Sequence, residues 1–183
     1  MPPGTTQKIY EISKVPIVHS TVRGMHKSLE AMKKDMLFWT KYIGGTTKEA
    51  ANAARKHFEK LGLKVKILKS PIETELAKLF DTTYRAWMIA CFQEMHRISR
   101  SLGADFDGIV DFLEDTHRVR FDRPIMFPDV IGEHYLIPSA ELLLKNYDSE
   151  FIRLLLKSNG KRKQEIKNKD IKREIEKIKN RKH

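Results

Sequence analysis

The chain predicts an α/β layer followed by a mainly α-helical region, and three observations carry that reading. In the first 70 residues short apolar runs alternate with helix-type periodicity in the order α-β-β-α-β. From Glu73 to Leu102 there is neither Gly nor Pro, and apolar residues recur every three or four positions. Beyond Gly103 two more helical stretches and a Lys/Arg-rich tail complete the 183 residues.

Residues 5–13 (TTQKIYEIS) have helical spacing, and Thr5 or Thr6 is placed to cap that helix after Pro3-Gly4. Val15 to Val18 reads as a short strand, and 19–34, with Gly24 and many charges, as loop with some helix. Leu37 to Ile43 is a β-rich run ending at Gly44-Gly45. Thr46 or Thr47 then caps a helix over 47–61, with Ala50, Ala54, Phe58 and Leu61 inward and Gly62 as its stop. Residues 65–68 form the next strand.

The long helix carries Leu76, Leu79/Phe80, Tyr84, Trp87/Met88, Cys91/Phe92, Met95 and Ile98 on one wide stripe, which puts Cys91 in the core. The small α/β layer cannot cover such a stripe, so a second helix or a second chain is expected against it. Asp105 or Asp107 caps a helix over 106–115, and 116–138, with Pro124, Pro128 and Pro138, reads as an ordered loop. A last helix spans 139–157 and breaks at Asn159-Gly160. Ile166, Ile171, Ile175 and Ile178 then make a thin stripe in a tail that reads as a frayed helix. The expected organisation is 1–70 α/β, 71–158 helical and 159–183 basic tail.

Composition narrows the function classes. Apolar residues make up 40% and charged residues 32%, which excludes a chain disordered throughout. No apolar run approaches the ~20 residues of a membrane span, and the N-terminus lacks a signal peptide's apolar stretch. The single cysteine, Cys91, excludes an intrachain disulfide and a Cys-rich zinc site, and a cytoplasmic setting is the simplest reading. The net charge of +11 suggests a nucleic-acid or anionic-surface partner. Its distribution argues otherwise: eleven bases against four acids in 161–183 give +7 there and leave +4 in the other 160 residues.

Few motifs announce chemistry. Gly44-Gly45-Thr46-Thr47 between strand and helix has the form of a phosphate-binding turn, and equally of a capped helix after a tight turn. Neither G-x-G-x-x-G nor G-x-x-x-x-G-K-[ST] occurs. The seven histidines include no H-x-x-x-H pair, so no metal site is expected. Lys78, in the first turns of the long helix, is either a solvated surface residue or a cation facing a cleft, where it can hold a carboxylate or a developing oxyanion.

Six segments in order resemble the nucleotide-sugar 6-dehydrogenases, the UDP-glucose/GDP-mannose dehydrogenase family. Pro2-Pro3-Gly4-Thr5-Thr6 resembles the end of its S-T-V-P-P-G-T-T segment, and His19-Ser20-Thr21-Val22-Arg23-Gly24-Met25-His26 its H-S-P-V-R-G-x-H form. Tyr42 to Gly45 is similar to the stretch before the last helix of its first domain. Glu75-Leu76-Ala77-Lys78 with Glu94 resembles its A-E-L-x-K…N-E helix, and Ser101 to Asp105 its C-x-x-x-G-A-D turn. Ile131 to Pro138 resembles its G-G-x-C-x-P loop.

The resemblance implies a partial Rossmann-like α/β layer joined to a long dimerisation helix, with a homodimer formed through 73–102. It also implies NAD-dependent oxidation of a sugar C6 alcohol to a carboxylate. The family's oxyanion-stabilising lysine falls on Lys78 and its asparagine on Thr82, while Arg23, His26 and His134 are the implied contacts to an anionic nucleotide sugar. The nucleophilic cysteine falls at Tyr135, which leaves the second oxidation without an acyl carrier. The family's glycine fingerprint and nucleotide-sugar domain have no counterpart in the sequence. The expectation is therefore a dehydrogenase-like chain that depends on a companion chain to bind NAD. The alternative is a non-catalytic dimerisation or binding module of the same descent, whose basic tail contacts nucleic acid or an acidic partner.

Overall fold

The computed structural model describes residues 1–23, 28–122, 124–132 and 134–181, which divide into two compact units, Met1–Asp81 and Thr82–His183. The first unit contains α1 (Thr5–Ser13), β1 (Val18–Ser20), α2 (Leu29–Phe38), β2 (Lys41–Gly45), α3 (Lys48–Lys60), β3 (Val65–Ile67) and the start of α4 (Pro71–Ser101). Its sheet has the order β1-β2-β3. β1 is antiparallel to β2 with His19 opposite Gly44, and β2 is parallel to β3 with Lys41 opposite Val65, the crossover passing through α3.

Thr47 caps α3 as expected, its hydroxyl accepting from the Ala50 N–H. Three expectations fail locally, the first being the strand expected over 15–18, which lies at Val18–Ser20. The cap of α1 is Gly4, at a positive φ of 84°, while Thr5 and Thr6 are its first helical residues. The β-rich reading of Leu37 to Trp39 is also wrong. These residues close α2, which starts where the Ser28 hydroxyl accepts from the Ala31 N–H. A cap at Ser28 outweighs the β propensity of three large side chains ten residues later. The core of this unit is small: Ile43, Ala51, Leu63 and Leu79.

Gly44 and Gly45 are packing residues. A Cβ at Gly44 would lie 2.3 Å from the Ser70 carbonyl oxygen, and one at Gly45 would lie 2.8 Å from the Ala51 Cβ. The close approach that glycine permits here is to the chain itself.

The second unit contains the rest of α4, α5 (Phe106–Arg120), α6 (Leu136–Asn146), α7 (Glu150–Glu165) and α8 (Lys169–Lys179). α5 runs past its expected end at 115. The helix expected over 139–157 is two helices: Tyr147 leaves helical geometry, and the Ser149 hydroxyl caps α7 by accepting from the Ile152 N–H. The expected break at Asn159-Gly160 does not occur. Asn159 is buried inside α7, where it accepts from the Ile131 N–H at 2.8 Å and donates to the Ile131 carbonyl at 3.3 Å. Two tertiary hydrogen bonds offset the weak propensity of an Asn-Gly pair.

The tail is not frayed. Ile175 and Ile178 are 2% and 1% exposed, and Ile178 joins Phe92, Phe106 and Val110 in one core cluster. Ile125, Met126 and Phe127 pack against the same cluster. Arg181 then pairs with Asp107, Asp111 and Glu114 of α5, and Lys179 with Asp129 at 2.7 Å. Replacing Ile178 by Ala should cost about 2–4 kcal/mol of unfolding free energy in urea. An unchanged midpoint would return the tail to solvent.

Candidate functional site

In the first unit the polar groups converge where α4 begins. The buried Glu75 carboxylate accepts from the Gly4 N–H, from the Thr6 N–H at 2.9 Å and from the Thr6 hydroxyl at 2.6 Å. A carboxylate thus meets the N-terminal N–H groups of α1, which explains why no side chain of α1 caps itself. Beside it, His19 Nδ1 lies 2.7 Å from the Thr74 hydroxyl. Burial first, then Lys41 and the Met1 amino group against an opposing pull from Glu75, hold the His19 ring below its ordinary pKa of 6.5. Burial likewise lowers Lys41, whose Nζ donates to the Thr21 carbonyl at 3.1 Å.

Lys78 lies partly buried on α4 in this unit. Arg23 is engaged elsewhere. Its guanidinium stacks 4.8 Å above Trp39 and 5.4 Å from Tyr42 and donates to the Thr40 carbonyl at 3.0 Å. His26 lies outside the described residues.

In the second unit Thr82 is partly buried on α4, and His134 is exposed with its ring 5.1 Å from that of Tyr135. The segment 124–132 that leads to them is firmly held. Gln93 donates to the Asp129 carbonyl at 2.7 Å, and Asn159 brackets Ile131. Behind it Arg162 is fully buried and donates to the Gln93 carbonyl at 2.9 Å and to His96 Nδ1 at 3.2 Å. His96 must therefore carry its proton on Nε2, which donates to Glu174 at 2.8 Å. Burial lowers Arg162 to about 10. None of Gln93, His96, Asn159 or Arg162 was a sequence candidate. The available signal was polar residues at 93 and 96 interrupting the apolar stripe of α4.

Cys91 is exposed, against the expectation of a core position. It lines an open apolar groove of about 740 Å³ with Trp87, Phe151 and Leu154, rimmed by Arg97 and Lys161. The Trp87 indole N–H is buried there with no acceptor among the described residues. Phe151 packs edge-on at 6.3 Å from Trp87.

The Gly44-Gly45 turn does not fit a phosphate. The Gly44-Gly45 turn is closed by Ser70 and Ala51, and Thr47 already caps the α3 N–H groups that a phosphate would need.

Residues 72–159 match the family model for the central domain of the UDP-glucose/GDP-mannose dehydrogenase family. Over those residues the chain is similar to that family. Two UDP-N-acetyl-D-mannosamine dehydrogenases are similar to it. That of Methanococcus vannielii is 29% identical over 88% of the chain, and that of Pyrococcus horikoshii 25% identical over 82%. The chain spans 37% of the length of each. The fold is that of a solved UDP-D-ManNAc dehydrogenase from Pyrococcus horikoshii. Its TM-score is 0.71 at 24% identity, over 87% of this chain and 40% of that one. An NDP-N-acetyl-D-galactosaminuronic acid dehydrogenase from Methanosarcina mazei Go1 also gives 0.71, at 18% identity, over 87% and 38%. These agree with the α/β then mainly α fold of this nucleotide-sugar dehydrogenase relative, and no helix of its described residues is long and apolar enough to cross a membrane.

The polar cluster makes this relative acid-labile in two steps. Burial and then Arg162 hold His96 below 6.5, so the unfolded chain takes up that proton first as pH falls. Stability present above pH 6.5 is lost on acidification through that range. Burial opposes ionisation of Glu174, but bonds from Arg100 and His96 outweigh it and hold the carboxyl below 4.5, which adds a second loss in more acidic solution. His96→Gln keeps a donor and an acceptor without the titration. Thermal unfolding across pH should show a smaller loss below 6.5 and an intact acid step; an unchanged profile would clear His96 of the role.

Proposed function

We propose that this chain is the dimer-forming component of a nucleotide-sugar dehydrogenase, completed by a companion chain that binds NAD. The observation that carries the pairing is the groove at Trp87, Cys91, Phe151 and Leu154. It is apolar, it continues the exposed Tyr84 face of α4, and it buries an indole N–H that still needs an acceptor. A second copy of the same helix face supplies the apolar cover, as an isologous contact does.

The family match supports a nucleoside-diphosphate sugar as the ligand, and the relatives' names make UDP-N-acetyl-D-mannosamine the first probe. In this reading Lys78 polarises the reacting sugar oxygen and Thr82 adds one hydrogen bond to it. Arg23 meets a charged part of the ligand on leaving its stack on Trp39. The Gly44-Gly45 turn leaves no room for a phosphate and the sequence carries no glycine fingerprint, which is why a companion chain enters the proposal.

A second reading, a non-catalytic dimerisation module, is favoured by one observation: Tyr135, 61% exposed, stands where the resemblance calls for a thiol. A tyrosine cannot carry an acyl group through a second oxidation as a thiolate does. NADH formation from NAD⁺ and the UDP-sugar on adding companion chains separates the two readings. Product with some companion supports the dehydrogenase, and none with any leaves the module. Light scattering should show a dimer at micromolar concentration. Phe151→Asp, which buries a charge in the groove, should weaken it about a hundredfold. A monomeric parent chain would count against both readings.

A further inference from the structure

We propose that His19 Nε2 is a hydrogen-bond acceptor for a sugar hydroxyl, its ring anchored to α4 one turn before Lys78. The inference deepens the nucleotide-sugar reading and rests on it.

Proton bookkeeping fixes the tautomer. The Thr74 hydroxyl has one proton, and it donates that proton to the Pro71 carbonyl at 2.8 Å. Thr74 is fully buried, so no water competes for this bond. Across the 2.7 Å contact the imidazole must therefore donate from Nδ1. A neutral imidazole has a single N–H, so Nε2 is left with a bare lone pair.

The surroundings keep the ring neutral. Thr74 and Glu75 face it from α4, Lys41 from β2 and the Met1 amino group from the N-terminus. Glu75 alone favours protonation, and its carboxylate already accepts three bonds from Gly4 and Thr6. The ring is half-buried, and Nε2 has no hydrogen-bond partner among the described residues.

Placement then suggests the ligand. Thr74 and Lys78 are four residues apart on α4, neighbours on one helix face at about 5–6 Å. The histidine acceptor is anchored at Thr74, one turn before the lysine on α4. A sugar hydroxyl has a proton to give such an acceptor, whereas the diphosphate of a nucleotide sugar has none at neutral pH. β1 holds the histidine by its register against Gly44, so the acceptor is fixed before a ligand arrives.

The test is nitrogen NMR of His19 in the full chain, with UDP-N-acetyl-D-mannosamine as the probe. The free chain should show the Nδ1–H form at pH 7. Thr74→Val should mix the tautomers, and Thr74→Ser should restore the single form. The UDP-sugar should shift Nε2, and His19→Phe should weaken binding about tenfold. An Nε2–H form, or a pattern indifferent to Thr74→Val, overturns the acceptor. A UDP-sugar that moves the Lys78 signals and leaves His19 unmoved overturns this contact but keeps the sugar site. A UDP-sugar that moves neither overturns the nucleotide-sugar reading and this contact with it.

Discussion

The buried guanidinium of Arg162 sets the terms for the helical unit. A cation removed from water must be met by acceptors or the unit does not form. It finds the Gln93 carbonyl and His96 Nδ1 on α4 and the Glu165 carboxylate 3.3 Å away on its own helix. Each partner is then constrained in turn. His96 stays neutral and turns its N–H to Glu174 of α8. Gln93 turns its side chain to the Asp129 carbonyl and to Ser158. Asn159, one turn before Arg162, brackets Ile131. The segment that leads to His134 and Tyr135 is thus tied, through two or three bonds, to one charge. The fit is incomplete: Arg162 Nε and Glu165 Oε2 lack a well-directed hydrogen bond, and burial still lowers the arginine to about 10.

That network explains what the sequence could and could not disclose. The long helix was legible, because 31 residues of unbroken three-four periodicity leave no other structure. The helix 48–60 was legible for a local reason, a Thr cap and a Gly stop. Helix α7 was misread, because Asn159-Gly160 is a break signal in isolation and only the contact with Ile131 reverses it. Helix α2 was misread through Leu37 to Trp39, whose bulk suggested a strand, while the serine that starts the helix stood ten residues earlier. Local signals carried what local energetics decide. Long-range hydrogen bonds decided the rest, and a single chain does not display them. The same holds for the site. Lys78 stood out by its place on the long helix and Thr82 only through resemblance, whereas the His19–Thr74 contact joins residues 55 apart in sequence.

The bases of the tail divide by face, which a sum of charges does not show. The net charge of +11 suggested a polyanion partner, and +7 of it lies in the tail. The structure divides those bases by face. Arg162 is in the core, and Lys177, Lys179 and Arg181 pair with Asp107, Asp129, Asp111 and Glu114. Burial works against ionised Asp107, but bonds from Lys177 and Arg181 hold its carboxyl below the usual range, so these contacts favour the docked helix. Single surface ion pairs contribute little. Here several converge on one carboxylate next to two buried isoleucines, and the apolar contact fixes the geometry that the charges need.

The α/β unit relies on polar bonds for the opposite reason. It buries few large side chains and leaves Ile12, Leu29 and Phe38 exposed at 86%, 84% and 70%. So small a core contributes little by burial. Specific bonds therefore matter more: Glu75 closing the start of α1, Thr46 tying to Ile17, Ser20 reaching the Tyr42 carbonyl. Glu75 also faces the His19 ring, so the carboxylate that anchors the helix helps set the charge state of the proposed sugar-reading group. Stability and recognition are coupled at that residue, and neither can be altered there without the other.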